Sequence, residues 1–168
     1  LRQTTDKKKR KILLASKVED MINTVVRQIA FYTFERKVHS ARKEGELMPD
    51  KINEIWLEIQ AESLGDSIGI GPGYETFWAY IPHFIHSPFY VYAYAFGDCL
   101  VNSLYARYQE SEAGFQEKYF TMLKAGGTQH HSELLKPFGL DATDPEFWQK
   151  GLSVISRLID ELETMENA

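Results

Sequence analysis

An apolar stripe of helical spacing near the start of the chain constrains the fold more than any other feature of the sequence. Between Leu14 and Phe34, apolar residues recur mostly three or four positions apart, which places them along one face of an α-helix. The stripe consists of Leu14, Val18, Met21, Ile22, Val25, Ile29 and Phe34. The pattern predicts a helix from about Thr5 to about Arg42, which is long for a globular protein and long enough to contain a kink.

Further helices are predicted where proline and cap residues precede apolar periodicity. Pro49 opens one, Ser87-Pro88 a second and Asp144-Pro145 the last, whereas closely spaced glycines make Gly65–Gly73 a loop. The predicted helices after the first cover residues 49–63, 87–108, 112–124, 132–135 and 144 to beyond 162. No segment alternates like a β-strand. The sequence therefore predicts an all-α helical bundle, with residues 1–168 as a single domain.

The composition limits the class of protein and its compartment. With 43% hydrophobic and 26% charged residues, the 168-residue chain is typical of a soluble globular protein. It has no apolar run of membrane-spanning length and no signal peptide. The single cysteine, Cys99, excludes an internal disulfide, and we expect a cytoplasmic location. Leu1-Arg2-Gln3 reads like the end of an earlier helix, so that further sequence is expected before it.

Positive charge is concentrated near the start of the chain. Up to Lys43 there are twelve basic and four acidic residues, although the whole chain carries a net charge of −5. The basic run Lys7–Lys11 raises the possibility of a stand-alone helical interaction or nucleic-acid-binding module. The run has no interleaved aromatic residues, and no known nucleic-acid module follows it. A solvated helix start is therefore the favoured interpretation.

The residues that could bind metal do not form a recognisable site. None of the five histidines lies in a His-Glu-x-x-His motif, and the one carboxylate–imidazole pair spaced four residues apart is Glu35 with His39. We expect this pair to form a polar bridge on the first helix rather than to bind metal. His130-His131 is expected to be solvated, and Cys99 to be a buried, inert thiol. No metal ligand is predicted within the chain.

The segment from Phe77 to Tyr94 is unusually aromatic, because ten of its eighteen residues are aromatic or histidine. Phenylalanine and tryptophan in such a segment are good core residues. The tyrosines Tyr90, Tyr92 and Tyr94 differ, because a buried hydroxyl needs a hydrogen-bond partner. The cluster is therefore either a hydrogen-bonded core network or a set of donors lining a cleft. Donors aimed at a developing oxyanion are what peptide hydrolysis requires.

The order of residues in this segment resembles one family of peptidases. Trp78…Ile81-Pro82-His83-Phe84…Pro88-Phe89-Tyr90-Val91-Tyr92…Tyr94-Ala95 is similar to the carboxy-terminal part of the oligoendopeptidase F family, which consists of thimet-oligopeptidase-like zinc metallopeptidases. Weaker similarities extend over nearly the whole chain. They lie in Val26-Arg27-Gln28…Phe34-Glu35…His39, in Leu123-Lys124-Ala125-Gly126-Gly127 with Glu133-Leu134-Leu135…Gly139-Leu140-Asp141, and in Asp144-Pro145…Phe147-Trp148…Gly151-Leu152.

The resemblance implies that the chain is the C-terminal part of a larger, mostly helical peptidase with a channel that admits short peptides. In the family, a His-Glu-x-x-His motif and a later glutamate bind zinc. Neither element is present here, so both are expected upstream, and the zinc belongs to the full-length protein. The chain alone is expected to be inactive. Apolar surface that normally meets the upstream half is expected to be exposed, and self-association can cover it.

The same resemblance assigns roles within the aromatic segment. His83 and Tyr92 are the expected donors to the oxyanion or the substrate carbonyl, with Tyr90 assisting. Substrate binding is expected of Tyr80, His86 and Tyr94, whereas Phe77, Trp78 and Phe89 are expected to pack. One position departs from the family pattern: Ile85 stands where a tyrosine is expected shortly after the His-Phe pair. Either a nearby tyrosine takes that hydroxyl's role, or the register differs there.

Overall fold

A computed structural model describes residues 4–110 and 113–166, and all regular structure in this part of the chain is helical. The α-helices are α1 (Lys7–Ile22), α2 (Gln28–Glu44), α3 (Pro49–Leu64), α4 (His83–His86), α5 (Tyr92–Gln109), α6 (Phe115–Ala125), α7 (His131–Leu135) and α8 (Pro145–Glu166). Shorter turns of π-helix (Asn23–Arg27) and 3₁₀-helix (Gly65–Ser67, Tyr74–Tyr80 and Lys136–Phe138) connect some of them. The all-α prediction is confirmed.

The chain divides into two compact units, each of which is described separately. One, the aromatic unit, comprises residues 20–96, and the other, the α8 unit, comprises residues 1–19 and 97–168. No helix in the described residues is both long enough and apolar enough to cross a membrane.

The predicted first helix is interrupted by a π-helical turn. Residues 23–27 form this turn, so that α1 and α2 follow one another without a loop. A π-turn adds a residue to the helical repeat and changes the phase of every later side chain. After Val25 the next buried residue is Ala30. The prediction that Ile22 and Ile29 belong to the buried stripe is wrong, because they are 40% and 49% exposed.

The core of the aromatic unit is built around Trp56, which is completely buried. Its ring lies 5.6 Å from that of Phe31 and 5.2 Å from that of Phe34, measured between centroids. The indole N–H donates to the carbonyl of Tyr74 at 2.9 Å, so the buried donor is satisfied. Phe84 joins the same cluster, with its ring 5.1 Å from that of Phe34.

Most predicted helix boundaries are confirmed, since Pro49 starts α3 and Pro145 starts α8. The Asp144 carboxylate caps α8 by accepting from the Glu146 N–H at 2.9 Å. The exception is the helix predicted from Ser87-Pro88, because α5 begins only at Tyr92. A left-handed backbone at Phe89, with φ of 60°, ends any helix there. Residue 112, the predicted start of the next helix, lies outside the described residues, as do residues 1–3.

Close contact between α5 and α8 organises the α8 unit. Gly151 on α8 has no side chain, and a Cβ there would lie 2.7 Å from the Cys99 carbonyl oxygen and 2.8 Å from Ser103 Oγ. The buried Ser103 hydroxyl donates to the carbonyl of Phe147 at 2.8 Å. Around this contact lies an apolar cluster of Leu104, Phe115, Leu135, Phe138, Leu140 and Phe147.

Acidic residues of α8 pair with part of the basic run on α1. Arg10 Nε donates to Glu161 Oε1 at 2.9 Å, and Lys11 Nζ lies 2.6 Å from Glu166 Oε1. The run is thus partly neutralised within the α8 unit rather than being wholly exposed to solvent.

Apolar side chains are also exposed in the α8 unit. A groove of about 380 Å³ between α5 and α6 is lined by the exposed side chains of Val101, Tyr105, Tyr108 and Phe120, together with the buried Phe115. Self-association through such surface stays a prediction.

We predict opposite effects of alanine at two helical glycines. Gly151→Ala should lower the free energy of unfolding by about 1–3 kcal/mol, because its Cβ meets backbone atoms of α5 that must move. Gly97→Ala, in α5 with no atom within 4 Å of the added Cβ, should raise it by about 0.5–1 kcal/mol. Urea unfolding of both variants measures the difference. Equal effects would contradict the close packing at Gly151.

We also predict that Cys99 resists alkylation in the folded chain. Burial, together with the nearby Asp98 carboxylate, raises the pKa of its thiol to about 11. Because the thiolate is the nucleophile, iodoacetamide at pH 8 should modify native Cys99 far more slowly than the same cysteine in denaturant. Comparable rates, followed by mass spectrometry, would show that the thiol is exposed.

Candidate functional site

The candidate site is the surface of the aromatic segment, which is held to the core at three points. Ile81 and Val91 are buried in the cluster around Trp56, and Phe84 packs against that cluster. Between these anchors the chain forms the short helix α4 and then a turn. Residues that flank the anchors therefore face outward, which is how His83 and Tyr90 reach the surface.

His83, Tyr90 and Tyr94 form one cluster. His83 Nε2 lies 3.0 Å from the Tyr94 hydroxyl oxygen, within hydrogen-bond distance. The Tyr90 ring is nearly parallel to the imidazole of His83, at 6.5 Å between centroids, and meets the Tyr94 ring edge-on at 5.5 Å. Tyr90 is 52% exposed and Tyr94 is 40% exposed. The sequence left open whether these tyrosines form a hydrogen-bonded network in the core or a set of donors at the surface. Because both are exposed, they do not form a buried core network.

This geometry leaves polar atoms available to a ligand. A neutral imidazole has one N–H donor and one acceptor nitrogen. If the Tyr94 hydroxyl donates to His83 Nε2, the proton of the imidazole is on Nδ1, which has no partner among the described residues. The Tyr90 hydroxyl also has none in that part of the chain. The cluster can therefore present two hydrogen-bond donors side by side.

The other predicted site residues lie outside this cluster. Tyr92 packs against Tyr32, with 5.8 Å between ring centroids, and Tyr80 packs against Phe77 at 5.3 Å. The side chain of His86 makes no hydrogen bond or ring contact with any residue that the structure describes. All three are exposed. The rings of Tyr90 and Tyr94 meet although Tyr90 precedes α5.

Glu35 was not among the predicted site residues, yet it holds the turn next to Tyr90. Its side chain is buried, and Oε1 accepts a hydrogen bond from the backbone N–H of Phe89 at 2.8 Å. The predicted polar bridge to His39 is wrong, because His39 instead places its ring 4.7 Å from that of Phe89. The sequence spacing could have indicated that Glu35 is buried. It lies four residues after the apolar Phe31 and therefore on the same face of α2, which is buried in the structure.

Phe89 itself has a strained backbone. Its φ of 60° lies in the left-handed region, which costs roughly 1–2 kcal/mol for a residue with a side chain. The residue is also 40% exposed, so the prediction that it serves as core packing is wrong. A left-handed, partly exposed phenylalanine persists because the surrounding contacts hold it.

The Glu35 carboxyl group has an unusual electrostatic environment. Burial raises its pKa above the ordinary value for glutamate, whereas the Phe89 N–H and the charges of His39 and His83 oppose that rise. The second carboxyl oxygen, Oε2, is buried without a hydrogen-bond partner among the described residues. Both imidazoles are thus within electrostatic reach of the carboxyl group.

The side chains that the structure describes do not fit a catalytic zinc site. Within residues 4–110 and 113–166, no three His, Cys, Asp or Glu side chains come together closely enough to hold a metal.

A concave, basic surface adjoins the turn at Phe89. It encloses about 510 Å³ and is lined by Arg36, His39, Ser40, Arg42, Lys43 and Phe89. The basic residues lie near the C-terminal end of α2, where cations are favoured by the helix dipole.

Comparison with known proteins identifies the relatives of this chain. The sequence model of Peptidase family M3 matches residues 1–154 of this chain. Oligopeptidase PepF of Bacillus subtilis is 30% identical over 98% of this chain and 25% of its own length. The plasmid oligoendopeptidase F of Lactococcus lactis is 28% identical over 98% of this chain and 28% of its own length.

Two solved structures share the fold of this chain. The crystal structure of oligoendopeptidase-F from Enterococcus faecium matches the fold with a TM-score of 0.90 at 24% identity, over 99% of this chain and 32% of that one. A putative peptidase from Chlamydophila abortus matches with a TM-score of 0.86 at 30% identity, over 98% of this chain and 28% of that one. The chain spans about a quarter of the length of the relatives it matches and belongs to peptidase family M3.

Proposed function

We propose that the chain forms one wall of the peptide-binding site of a zinc-dependent oligoendopeptidase that cleaves short peptides. The observation that supports this most directly is the exposed cluster of His83, Tyr90 and Tyr94 on a rigid aromatic base. With the imidazole proton on Nδ1, His83 and Tyr90 offer two donors that have no partner among the described residues. Family M3 membership supplies the reaction class, since its relatives are named oligopeptidases and oligoendopeptidases.

In this proposal His83 and Tyr90 donate hydrogen bonds to the carbonyl oxygen of the peptide bond under attack. Such donors contribute most when negative charge develops on that oxygen in the transition state. Tyr94 orients His83 through the 3.0 Å contact between its hydroxyl and Nε2. The Tyr90 ring lies parallel to the His83 imidazole, whereas Tyr92 packs against Tyr32, which favours Tyr90 as the partner of His83. Tyr92 is exposed and is a second candidate donor.

The remaining exposed residues of the segment are proposed to contact the peptide away from the cleaved bond. Tyr80 and His86 lie on either side of His83 in the sequence, and both are exposed. Ile85 is also 67% exposed, so it faces outward at the position where the family resemblance predicts a tyrosine. An apolar contact with a substrate side chain is the role that suits it.

The metal would be held outside this chain. Zinc in such a peptidase polarises the substrate carbonyl and activates water. Because the described residues hold no fitting set of ligands, the zinc-binding motif would come from sequence upstream of this chain. Activity would then require both parts of the protein, in a reducing, cytoplasmic compartment that suits the lone buried thiol of Cys99.

The alternative of a nucleic-acid-binding module has less support. Arg10 and Lys11, the last two residues of the basic run, pair with Glu161 and Glu166 on α8. The footprint of free positive charge is therefore smaller than the sequence suggested.

We predict that Tyr90→Phe lowers kcat by on the order of 10²-fold in the longer, zinc-containing protein that carries this chain, because one oxyanion donor is lost. Tyr92→Phe should have a smaller effect. Hydrolysis of a quenched fluorescent peptide measures both, and Tyr108→Phe, an exposed tyrosine of α5 in the other unit, serves as the control. An unchanged kcat for Tyr90→Phe would remove this hydroxyl from the reaction.

We also predict that the 168-residue chain alone shows no peptide hydrolysis that a chelator abolishes. The same fluorescent peptide, incubated with the chain and zinc, provides the measurement. Chelator-sensitive cleavage by the isolated chain would mean that it contains a metal site of its own.

A further inference from the structure

Glu35 is the one buried carboxyl group in the described part of the chain. It is only 2% exposed, on a face of α2 that is otherwise apolar and contacts the aromatic core. Removing a carboxylate from water is costly unless it gains hydrogen bonds. Here the gain comes from one contact, the 2.8 Å hydrogen bond from the Phe89 N–H. A residue retained at such a cost is a candidate for a specific task.

The task suggested by this contact is to hold the turn at Phe89. Phenylalanine at φ of 60° is unfavourable, so this conformation needs support from its surroundings. Glu35 supports it on the backbone side, and His39 supports it on the side-chain side through the 4.7 Å ring contact. Both supporting residues lie on one turn of α2, spaced four apart.

The conformation of Phe89 determines where Tyr90 points. The Tyr90 N–H donates to the Ser87 carbonyl at 3.2 Å, and Val91 is completely buried, so the chain is fixed on both sides of Tyr90. If Phe89 adopted a right-handed helical backbone instead, α5 would extend backwards as the sequence pattern suggests. The Tyr90 side chain would then leave its position parallel to His83.

We propose that Glu35 is a positioning residue, whose buried carboxyl group holds Phe89 in the left-handed conformation and thereby sets Tyr90 against His83. The contact to Phe89 is a property of the fold. The consequence for catalysis rests on the proposed function, in which the Tyr90 hydroxyl meets the substrate.

A structural test uses the 168-residue chain and amide hydrogen exchange by NMR. Glu35→Leu removes the acceptor, and exchange at the Phe89 amide should accelerate by at least about tenfold, the effect of losing a charge-assisted hydrogen bond. Glu35→Gln keeps an acceptor oxygen and should preserve most of the protection. Glu35→Met serves in place of leucine if that variant does not fold.

Gln60 provides a matched control. It is also 2% exposed, has one unpartnered buried atom, and hydrogen-bonds Tyr74 rather than the turn at Phe89. Gln60→Leu should leave exchange at Phe89 unchanged. The proposal is overturned if Glu35→Leu does not affect Phe89, or if it accelerates exchange at Phe89 no more than at amides throughout α2 and α3.

The catalytic consequence is tested by a double-mutant cycle in the longer, zinc-containing protein. Glu35→Leu should lower kcat by on the order of tenfold when Tyr90 is present, and by less than about twofold in the Tyr90→Phe background. The reason is that both substitutions remove the same contribution, that of a correctly placed Tyr90 hydroxyl. Effects that multiply would show that Glu35 acts independently of Tyr90 and would overturn the proposal.

Glycine at position 89 tests the role of the left-handed backbone. Glycine adopts φ of 60° without strain, so the turn no longer depends on the carboxyl group. Glu35→Leu should therefore lower kcat at most about half as much when position 89 is glycine as when it is phenylalanine. The reference for the glycine background is the Phe89→Gly variant alone. No recovery would contradict the claim that Glu35 acts by holding this conformation.

The results separate this proposal from the proposed function. If Glu35→Leu exposes the Phe89 amide but Tyr90→Phe leaves kcat unchanged, the turn is held as inferred and the catalytic role of Tyr90 is wrong. If Tyr90→Phe lowers kcat and Glu35→Leu changes neither exchange nor kcat, the proposed function stands and the positioning role is wrong.

Discussion

The packing of aromatic rings around Trp56 is the interaction on which the candidate site depends. Phe31 and Phe34 bring α2 to this ring, and Phe84 brings α4 to it. Aromatic side chains bury large areas and have few rotatable bonds, so such a cluster fixes backbone as well as side chains. The segment that carries His83 and Tyr90 therefore starts from a rigid base, although its own polar side chains are exposed.

Rigidity of this kind suits a site made of hydrogen-bond donors. A donor assists a transition state only if it is already in position when charge develops, since reorganisation would consume the benefit. Here the chain is anchored by two buried residues, Ile81 before His83 and Val91 after Tyr90. Glu35 fixes the turn between these anchors. The unfavourable elements, a buried carboxyl group and a left-handed phenylalanine, occur together next to the candidate donors. Such concentration of strain is characteristic of functional sites.

Much of the fold could be predicted from the sequence because its signals are local. Pro49 and the Asp144-Pro145 pair mark helix starts through backbone chemistry that needs no tertiary information. The family resemblance is likewise local, because the order of aromatic residues is itself the signal, and the match of Peptidase family M3 to residues 1–154 confirms it. Both the all-α class and membership of the peptidase family follow from such local features.

The features that the sequence did not reveal arise from contacts distant along the chain. The Ser87-Pro88 signal is overridden because Glu35, more than fifty positions away, binds Phe89. The π-turn at 23–27 changes the phase of the apolar stripe, which spacing alone could not show. The turn at Phe89 also decides which tyrosine lies beside His83. The ring positions of Tyr90 and Tyr92 therefore could not be read from the sequence alone.

The most direct measurement is a crystal structure of the zinc-loaded longer protein that carries this chain, with an uncleaved peptide analogue bound. We expect a carbonyl oxygen of the peptide within about 3.2 Å of the Tyr90 hydroxyl or of His83 Nδ1. A peptide whose carbonyl oxygens all lie beyond hydrogen-bond reach of both groups would contradict it.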